Sequence, residues 1–242
     1  MSRAGVARGG KAVYGAAVGI LMLEARFPRI PGDVGNASTW PFPVLYKVVP
    51  GARPERVVRH RAKGLLEAFV AGGRELVAQG ADGIVTNCGF LSLFQEALAA
   101  ACGVPVASSA LMQAALVERL LPPGKRVGIL TVSAASLSAE HLQAAGVALD
   151  TPVVGADGRG EFSRALLGNE LELDVAQAEA DILAAGDELI ARHPNVGAVL
   201  LECTNMCPYA AALRERLGLP VFDMVSFITW FHGGLVPRRW PT

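Results

Sequence analysis

The chain has 242 residues, of which 52% are apolar and 18% are charged, and its formal net charge at pH 7 is zero. This length is enough for one large domain or two small ones with a substantial core. A chain without excess basic charge has no electrostatic footprint for nucleic acid or for an anionic membrane, so neither partner is expected.

Short and nearly continuous apolar runs predict strands that are buried on both faces. These runs lie at residues 13–23, 83–87, 104–107, 126–132, 197–202 and 219–222. Helical patterns lie between them, at residues 54–79, 91–102, 108–121, 138–145, 170–192 and 207–217. The first of these is one long helix or a broken pair, with Pro54 near its start and Gly72-Gly73 as a weak point. The alternation of strands and helices predicts an α/β fold with parallel sheets.

The first apolar run follows Arg3, Arg8 and Lys11 and therefore looks like a signal peptide. It is too short to span a bilayer, and its Val-Gly-Ile-Leu string returns inside the chain. We interpret it as the first strand, and the residues before about Lys11 as a loose terminus.

The chain repeats itself at about half of its length. A strand that ends in a cysteine, then a helix, then Gly-x-Pro and a new strand, occurs at 83–106 and again at 198–221, with a constant offset of 115 residues. Two shorter matches, 18–21 with 127–130 and 73–78 with 186–191, have offsets of 109 and 113. Such small differences are expected when insertions collect in loops between duplicated elements. The repeat predicts two homologous halves, 12–107 (completed by the C-terminal segment 222–242) and 108–221.

Each half places a cysteine, Cys88 or Cys203, at the carboxyl end of a predicted buried strand. Ligands bind beyond this edge in parallel sheets. The start of the following helix is expected to stabilise a thiolate and to bind a substrate carboxylate. Two thiols on opposite faces of a bound carbon form an acid–base pair, in which one takes a proton and the other returns one. Such a pair inverts a stereocentre without a cofactor.

The other two cysteines have simpler interpretations. Cys102 is a buried apolar residue, because the repeat aligns it with Leu217. Cys207 is interpreted as a packing residue, with a role as a resolving thiol as the alternative.

Four cysteines without a disulfide framework predict a reducing, cytoplasmic location. The sequence has no metal-ligand spacing, nucleotide-binding loop or recognisable pyridoxal-phosphate lysine, so neither a metal nor a cofactor is expected.

Cys88 and the segment Glu202-Cys203-Thr204-Asn205 resemble the two cysteine motifs of the aspartate/glutamate racemase superfamily, which includes hydantoin and allantoin racemases. Residues 127–138 resemble the opening of this family's second half, so the resemblance covers nearly the whole chain. It implies two Rossmann-like halves related by a pseudo-twofold axis and a cleft with one cysteine from each half. It also implies cofactor independence and frequent dimerisation.

Some positions differ from the amino-acid racemases, and they fall where substrate is held. Those enzymes usually have Cys-Asn-Thr in the first motif and often Cys-Thr-His in the second, whereas this chain has Cys88-Gly89-Phe90 and Asn205. The loop 31–36 and the Asn87-Cys88-Gly89-Phe90 motif are similar to a branch that contains algal dimethylsulfoniopropionate lyases. In that branch a cysteine abstracts a proton α to a carboxylate and elimination follows. Arylmalonate decarboxylases are a third relative, but they use a single cysteine.

The expected function is a cofactor-independent racemase or epimerase of a small carboxylate- or imide-bearing substrate of amino-acid or hydantoin type, with Cys88 and Cys203 as the acid/base pair. Two alternatives stay open: a lyase that removes a proton α to a carboxylate, and a non-catalytic binding protein. A homodimer is the expected assembly. The predicted substrate-binding residues lie beside the cysteines or follow nearby strands, and they are Asp33, Asn87, Gly89, Phe90, Thr131, Ser133, Thr204 and Asn205.

A few of these residues have a purely structural alternative. Asp33 could be a turn residue, and Thr131 and Ser133 could cap a helix. Ser108 and Asp223 follow equivalent strands, and both are expected to approach the cleft.

Overall fold

The computed structural model describes residues 9–158 and 160–240. Arg3, Arg8 and the last two residues of the predicted C-terminal segment lie outside these ranges. The strands are β1 (Val18–Met22), β2 (Val44–Val48), β3 (Gly83–Thr86), β4 (Val106–Ala107), β5 (Arg126–Thr131), β6 (Val153–Gly155), β7 (Val196–Leu201) and β8 (Val221–Phe222). The helices are α1 (Pro54–Val58), α2 (Leu66–Gln79), α3 (Gln95–Cys102), α4 (Ala114–Leu120), α5 (Ala139–Ala144), α6 (Glu161–Gly168), α7 (Val175–Arg192), α8 (Ala210–Leu217) and α9 (Met224–Leu235).

The strands form two parallel sheets with the same strand order. The first sheet runs β2-β1-β3-β4 and the second runs β6-β5-β7-β8. The repeated Val-Gly-Ile-Leu string forms β1 and β5, which are interior strands in both sheets. The predicted α/β fold with two parallel sheets is confirmed.

Packing between helix and strand is also repeated in the two halves. A Cβ added to Gly19 of β1 would lie 3.0 Å from the Leu76 side chain of α2. A Cβ added to Gly128 of β5 would lie 2.9 Å from the Leu189 side chain of α7. Glycine at these two positions therefore lets the helix leucine press directly on the strand.

Two details of the predicted helices are wrong. The segment 54–79 is a broken pair, but the break lies at 59–65, where Arg61 and Ala62 have φ angles of 54° and 51°. Helix α2 runs unbroken through Gly72-Gly73, because these buried glycines let α2 approach the sheet. The helices that were predicted to begin near 91, 108 and 207 begin instead with 3-10 turns, at Gly89–Phe94, Ala110–Gln113 and Thr204–Tyr209.

Four elements escaped the sequence patterns. The strands β2 and β6 lie at sheet edges, and neither is a fully buried apolar run. Helices α6 and α9 lie in segments for which no helix was predicted. The strand predictions relied on buried apolar runs, which β2 and β6 are not.

Helix α9 returns to the first sheet. A Cβ added to Gly83 of β3 would lie 2.7 Å from Leu235 and from Phe231. The His232 ring stacks on Phe42, with ring centroids 3.6 Å apart. These contacts support the prediction that the C-terminal segment completes the first half, although the half boundaries stay a prediction. No helix among the described residues is long and apolar enough to cross a bilayer.

Candidate active site

The thiols of Cys88 and Cys203 lie at equivalent strand ends and meet in one cavity. Cys88 follows β3 and Cys203 follows β7, and each precedes a 3-10 turn. Both line a narrow cavity whose space between the walls, including the part open to solvent, is about 380 Å³. The fold therefore brings together two residues that are 115 positions apart in the chain.

The cavity wall is largely apolar, with a polar strip beside the two cysteines. The apolar lining residues are Leu23, Phe27, Pro54, Val58, Phe90, Val132, Leu166 and Leu167. The polar lining residues are Arg29, Asn87, Glu202, Thr204 and Asn205. Of the predicted substrate-binding residues, Asn87, Phe90, Thr204 and Asn205 are thus at the wall.

A chain of hydrogen bonds links the second thiol to the loop that follows β1. The Cys203 Sγ donates to Asn205 Oδ1 at 3.6 Å, and Asn205 Nδ2 donates to Asp33 Oδ2. The other oxygen of Asp33 accepts from Arg29 at 2.9 Å and from the Gly35 N–H at 2.7 Å. Asp33 is therefore both a turn residue and part of the site, and it orients Asn205 from behind the cavity wall.

A second contact crosses between the two motifs. The Thr204 hydroxyl donates to the Asn87 carbonyl oxygen at 2.6 Å, and Asn87 Oδ1 accepts from the Leu23 N–H at 2.8 Å. Asn87 Nδ2 is buried and has no partner among the described residues. This N–H₂ group is available to a ligand with an acceptor oxygen.

Glu202 belongs to the site but was missing from the predicted site residues. It is completely buried, and Oε2 accepts a hydrogen bond from the Thr131 hydroxyl at 2.6 Å. Burial raises the pKa of Glu202 to about 7, against the lowering effect of the Thr131 hydrogen bond. The signal in the sequence was a lone carboxyl at the end of the apolar run that leads into Cys203.

The prediction that the start of the following helix keeps Cys88 and Cys203 as thiolates is wrong for this structure. Burial raises the pKa of both thiols, and the nearby Glu202 carboxylate raises it further. The backbone N–H groups of Phe90 and Asn205 lower the pKa of Cys88 and Cys203 respectively, as a turn N-terminus should, but burial outweighs them. Both thiols are therefore protonated at neutral pH.

Three residues that were predicted to approach the cavity do not line it. The Ser133 hydroxyl donates to Ser136 at 3.0 Å and to Asp157 at 3.4 Å, so it is used within its own loop. Asp223 caps α9 by accepting from the Ser226 N–H at 2.7 Å. The Ser108 carbonyl accepts from Thr86 at 2.6 Å and supports the end of β3. Thr131 also lies behind the wall, where it holds Glu202.

Gly89 leaves the space that the Glu202 carboxyl occupies. A Cβ at position 89 would lie 2.2 Å from Glu202 Oε1 and 2.6 Å from the Glu202 carbonyl oxygen. We expect Gly89→Ala to lower the free energy of unfolding by about 1–3 kcal/mol, because the added methyl forces side chain and backbone apart. Urea denaturation measures this change.

The matched control is Gly233→Ala, where the added methyl lies on an exposed helix face and meets no atom within 4 Å. The free energy of unfolding of this variant should be unchanged or rise by up to about 1 kcal/mol. Equal stability of the two variants would contradict the steric argument.

Comparison with known proteins adds named relatives. A dimethylsulfoniopropionate lyase of Durusdinium sp. clade D is 27% identical over 229 residues, which cover 91% of this chain and 75% of that protein. Dimethylsulfoniopropionate lyase 5 of Emiliania huxleyi (strain CCMP1516) is 30% identical over 89% of this chain. The chain spans only 45% of that second relative's length.

Solved structures share the fold. Glutamate racemase isoform RacE1 from Bacillus anthracis superposes with a TM-score of 0.58 at 17% identity, covering 92% of this chain and 85% of that one. The aspartate racemase of Picrophilus torridus gives 0.56 at 15% identity, covering 94% and 96%. An arylmalonate decarboxylase gives 0.57 at 18% identity, covering 90% and 92%. The family model for Asp/Glu/hydantoin racemases matches residues 59–231, and the chain therefore belongs to the Asp/Glu/hydantoin racemase family.

Proposed function

We propose that this chain removes a proton α to the carboxylate of a small substrate and that the resulting carbanion expels a leaving group from the β carbon. The observation that carries the proposal is the meeting of the Cys88 and Cys203 thiols in one cavity. A pair of thiols at the switch edge of two parallel sheets has the position and the chemistry of an acid–base pair.

The cavity wall supports a substrate with a carboxylate and an apolar or softly cationic remainder. Arg29 is the only lysine or arginine among the described residues that line the cavity, and its guanidinium lies 4.8 Å from the Phe27 ring centroid. Arg29 and Asn87 belong to the cavity wall and carry N–H donors of the kind that favour a carboxylate, although the Arg29 guanidinium also binds Asp33. The rings of Phe27 and Phe90 suit a sulfonium group, since aromatic faces attract cations. The Asp33 carboxylate is already held by Arg29 and Asn205 and is less available for an α-ammonium group.

The relatives named dimethylsulfoniopropionate lyases point in the same direction. Both thiols are protonated in the resting protein, so one of them first gives its proton to solvent. The resulting thiolate takes the α proton, and the C–H electron pair forms the new double bond. The bond between the β carbon and sulfur then breaks with its electron pair on sulfur. Dimethyl sulfide, acrylate and one proton are the products, so charge and atoms balance.

Racemisation is the second candidate, and the paired thiols favour it. If the carbanion is reprotonated from the opposite face by the second thiol, the same cavity inverts an amino acid or a hydantoin without elimination. A non-catalytic binding protein fits less well, because a receptor has no need for two thiols at the ligand.

Deuterium separates the candidates. We expect that incubation with dimethylsulfoniopropionate in deuterium oxide, with a metal chelator present throughout, gives acrylate and dimethyl sulfide in the proton NMR spectrum. The reason is that the proposed chemistry needs only this chain's thiols. Enantiopure amino acids, hydantoins and allantoin form the comparison panel, and optical rotation is followed together with NMR. Loss of optical rotation, with one deuterium at the α carbon and no olefinic signal, would show that the chain is a racemase and not a lyase. Loss of all activity on chelation, restored by a divalent metal, would contradict cofactor independence.

We also propose a homodimer in a reducing, cytoplasmic compartment. All four cysteines are free, which supports a reducing location. Leu116 of α4 and Trp230 of α9 are large apolar side chains with more than half of their surface exposed, and both line one surface groove, which supports an interface there.

A further inference from the structure

Two residues of the cavity wall, Asn87 and Glu202, stand at equivalent positions of the repeat. Asn87 Nδ2 and Glu202 Oε1 are both buried without a hydrogen-bond partner among the described residues. Their positions differ by the repeat offset, because 202 − 87 = 115. A buried polar atom without a partner costs stability. Two such atoms in one cavity therefore point to a ligand that satisfies both.

The fold holds the Glu202 carboxyl with one oxygen free. Thr131 at the end of β5 donates to Oε2, which leaves Oε1 as the oxygen without a partner. Gly89 provides the space for Oε1, since any side chain at position 89 would collide with it. This contact also accounts for the glycine in this chain where the amino-acid racemases have asparagine.

We propose that Glu202 acts as a neutral carboxylic acid that donates a hydrogen bond from Oε1 to a carboxylate ligand, beside the N–H₂ group of Asn87. The inference rests on the proposed function, because it assigns the place of the substrate carboxylate in the same cavity. It adds a binding residue and its protonation state. The two donors would also stabilise the enolate-like charge that develops on this carboxylate when the α proton leaves. A carboxylic acid kept neutral by an apolar site is an established kind of donor in enzymes.

The charges around Glu202 agree with a neutral form. Cys88 and Cys203 face it from the ends of β3 and β7, and both are protonated because burial raises the pKa of each thiol. Arg29 lines the same cavity from the loop after β1. His141 of α5 packs against Phe90, with ring centroids 5.2 Å apart, and burial lowers the pKa of His141 to about 4, so it is uncharged at neutral pH. An anionic ligand would add negative charge and favour the protonated carboxyl further.

The sign of the pH dependence follows from this state. Burial raises the pKa of Glu202 to about 7, so the carboxyl loses its proton as the pH rises through neutrality. The ionised form repels a carboxylate and cannot donate. Between pH 6 and pH 8.5 the Kd of the chain for propionate should therefore rise about 30-fold, with uptake of one proton per ligand at the high end. Isothermal titration calorimetry in buffers of different ionisation enthalpy measures both quantities.

Two variants test the assignment. In Glu202→Gln the amide keeps a donor near Oε1 but does not titrate, so propionate binding should change less than about twofold over the same pH range. In Thr131→Val, loss of the hydroxyl that favours the ionised form should raise the pKa of Glu202 and move the weakening of binding to higher pH. Thr131→Val also keeps the test valid if Glu202→Gln does not fold. Cys102→Ala, which lies outside the cavity, should behave like the unchanged chain.

The outcomes separate this inference from the proposed function. The role of Glu202 would be overturned if propionate affinity in the unchanged chain did not vary with pH. It would also be overturned if the Glu202→Gln variant kept the 30-fold change, even if elimination is observed. Propionate binding with proton uptake that vanishes in Glu202→Gln would support the role even if no substrate of the panel is turned over.

Discussion

Cys88→Ala and Cys203→Ala should each lower kcat/KM by at least about 100-fold, because each removes an acid–base group for which no neighbouring side chain substitutes. The measurement is turnover of the substrate identified in deuterium oxide, together with circular dichroism to show that the fold is intact. Both side chains line the cavity, and although they also contact the core, each truncation removes only one sulfur atom, so the fold should survive.

The matched control is Cys102→Ala. Cys102 ends α3 and is buried against α2, where a Cβ on Gly73 would lie 2.6 Å from its Sγ. Its removal should leave kcat/KM unchanged and lower the free energy of unfolding by about 1 kcal/mol. Full activity in Cys203→Ala would exclude a two-thiol mechanism and leave Cys88 as a single base, as in a one-cysteine enzyme. Full activity in both cavity variants would refute the proposed chemistry.

Glu202→Gln should make the protein more stable at alkaline pH and leave its stability nearly unchanged at acidic pH. The folded-state pKa of Glu202 is raised from 4.5 to about 7. The folded chain therefore binds a proton more tightly than the unfolded chain does. This contribution to stability is fully present below pH 4.5 and is lost as the pH rises through 7. By linkage the loss approaches about 3 kcal/mol, and glutamine, which does not ionise, avoids it.

Urea denaturation at pH 4.5, 6, 7 and 8.5 measures the difference between the two chains. The difference should grow from pH 4.5 to pH 7 and then level off, with the variant more stable at the alkaline end. Taking the difference removes the separate contribution of His141, whose lowered pKa of about 4 has the opposite pH dependence. A variant that is less stable than the unchanged chain at pH 8.5 would mean that the Glu202 carboxylate is stabilised by a partner in solution.

The sequence predicted the interior strands and the meeting of the two thiols because both depend on local patterns. Strands buried on both faces read as apolar runs, and their carboxyl ends in parallel sheets share one edge. Edge strands such as β2 are half exposed and lose this pattern. The role of Glu202 could not be predicted from the sequence, because it depends on Gly89 and Thr131 from two other segments of the chain. The sign of the thiol pKa shift was predicted wrongly, since the extent of burial is a property of the whole fold.

The two halves have diverged beside the two cavity thiols. Cys203 is followed at its second position by Asn205, which accepts a hydrogen bond from the thiol. The residue in the same place after Cys88 is Phe90, an apolar ring. A scaffold with twofold symmetry thus carries two chemically different faces. The two hydrogens of a prochiral CH₂ group beside a carboxylate become distinguishable in such a site. Stereospecifically deuterated substrate should therefore lose label from one of the two positions only.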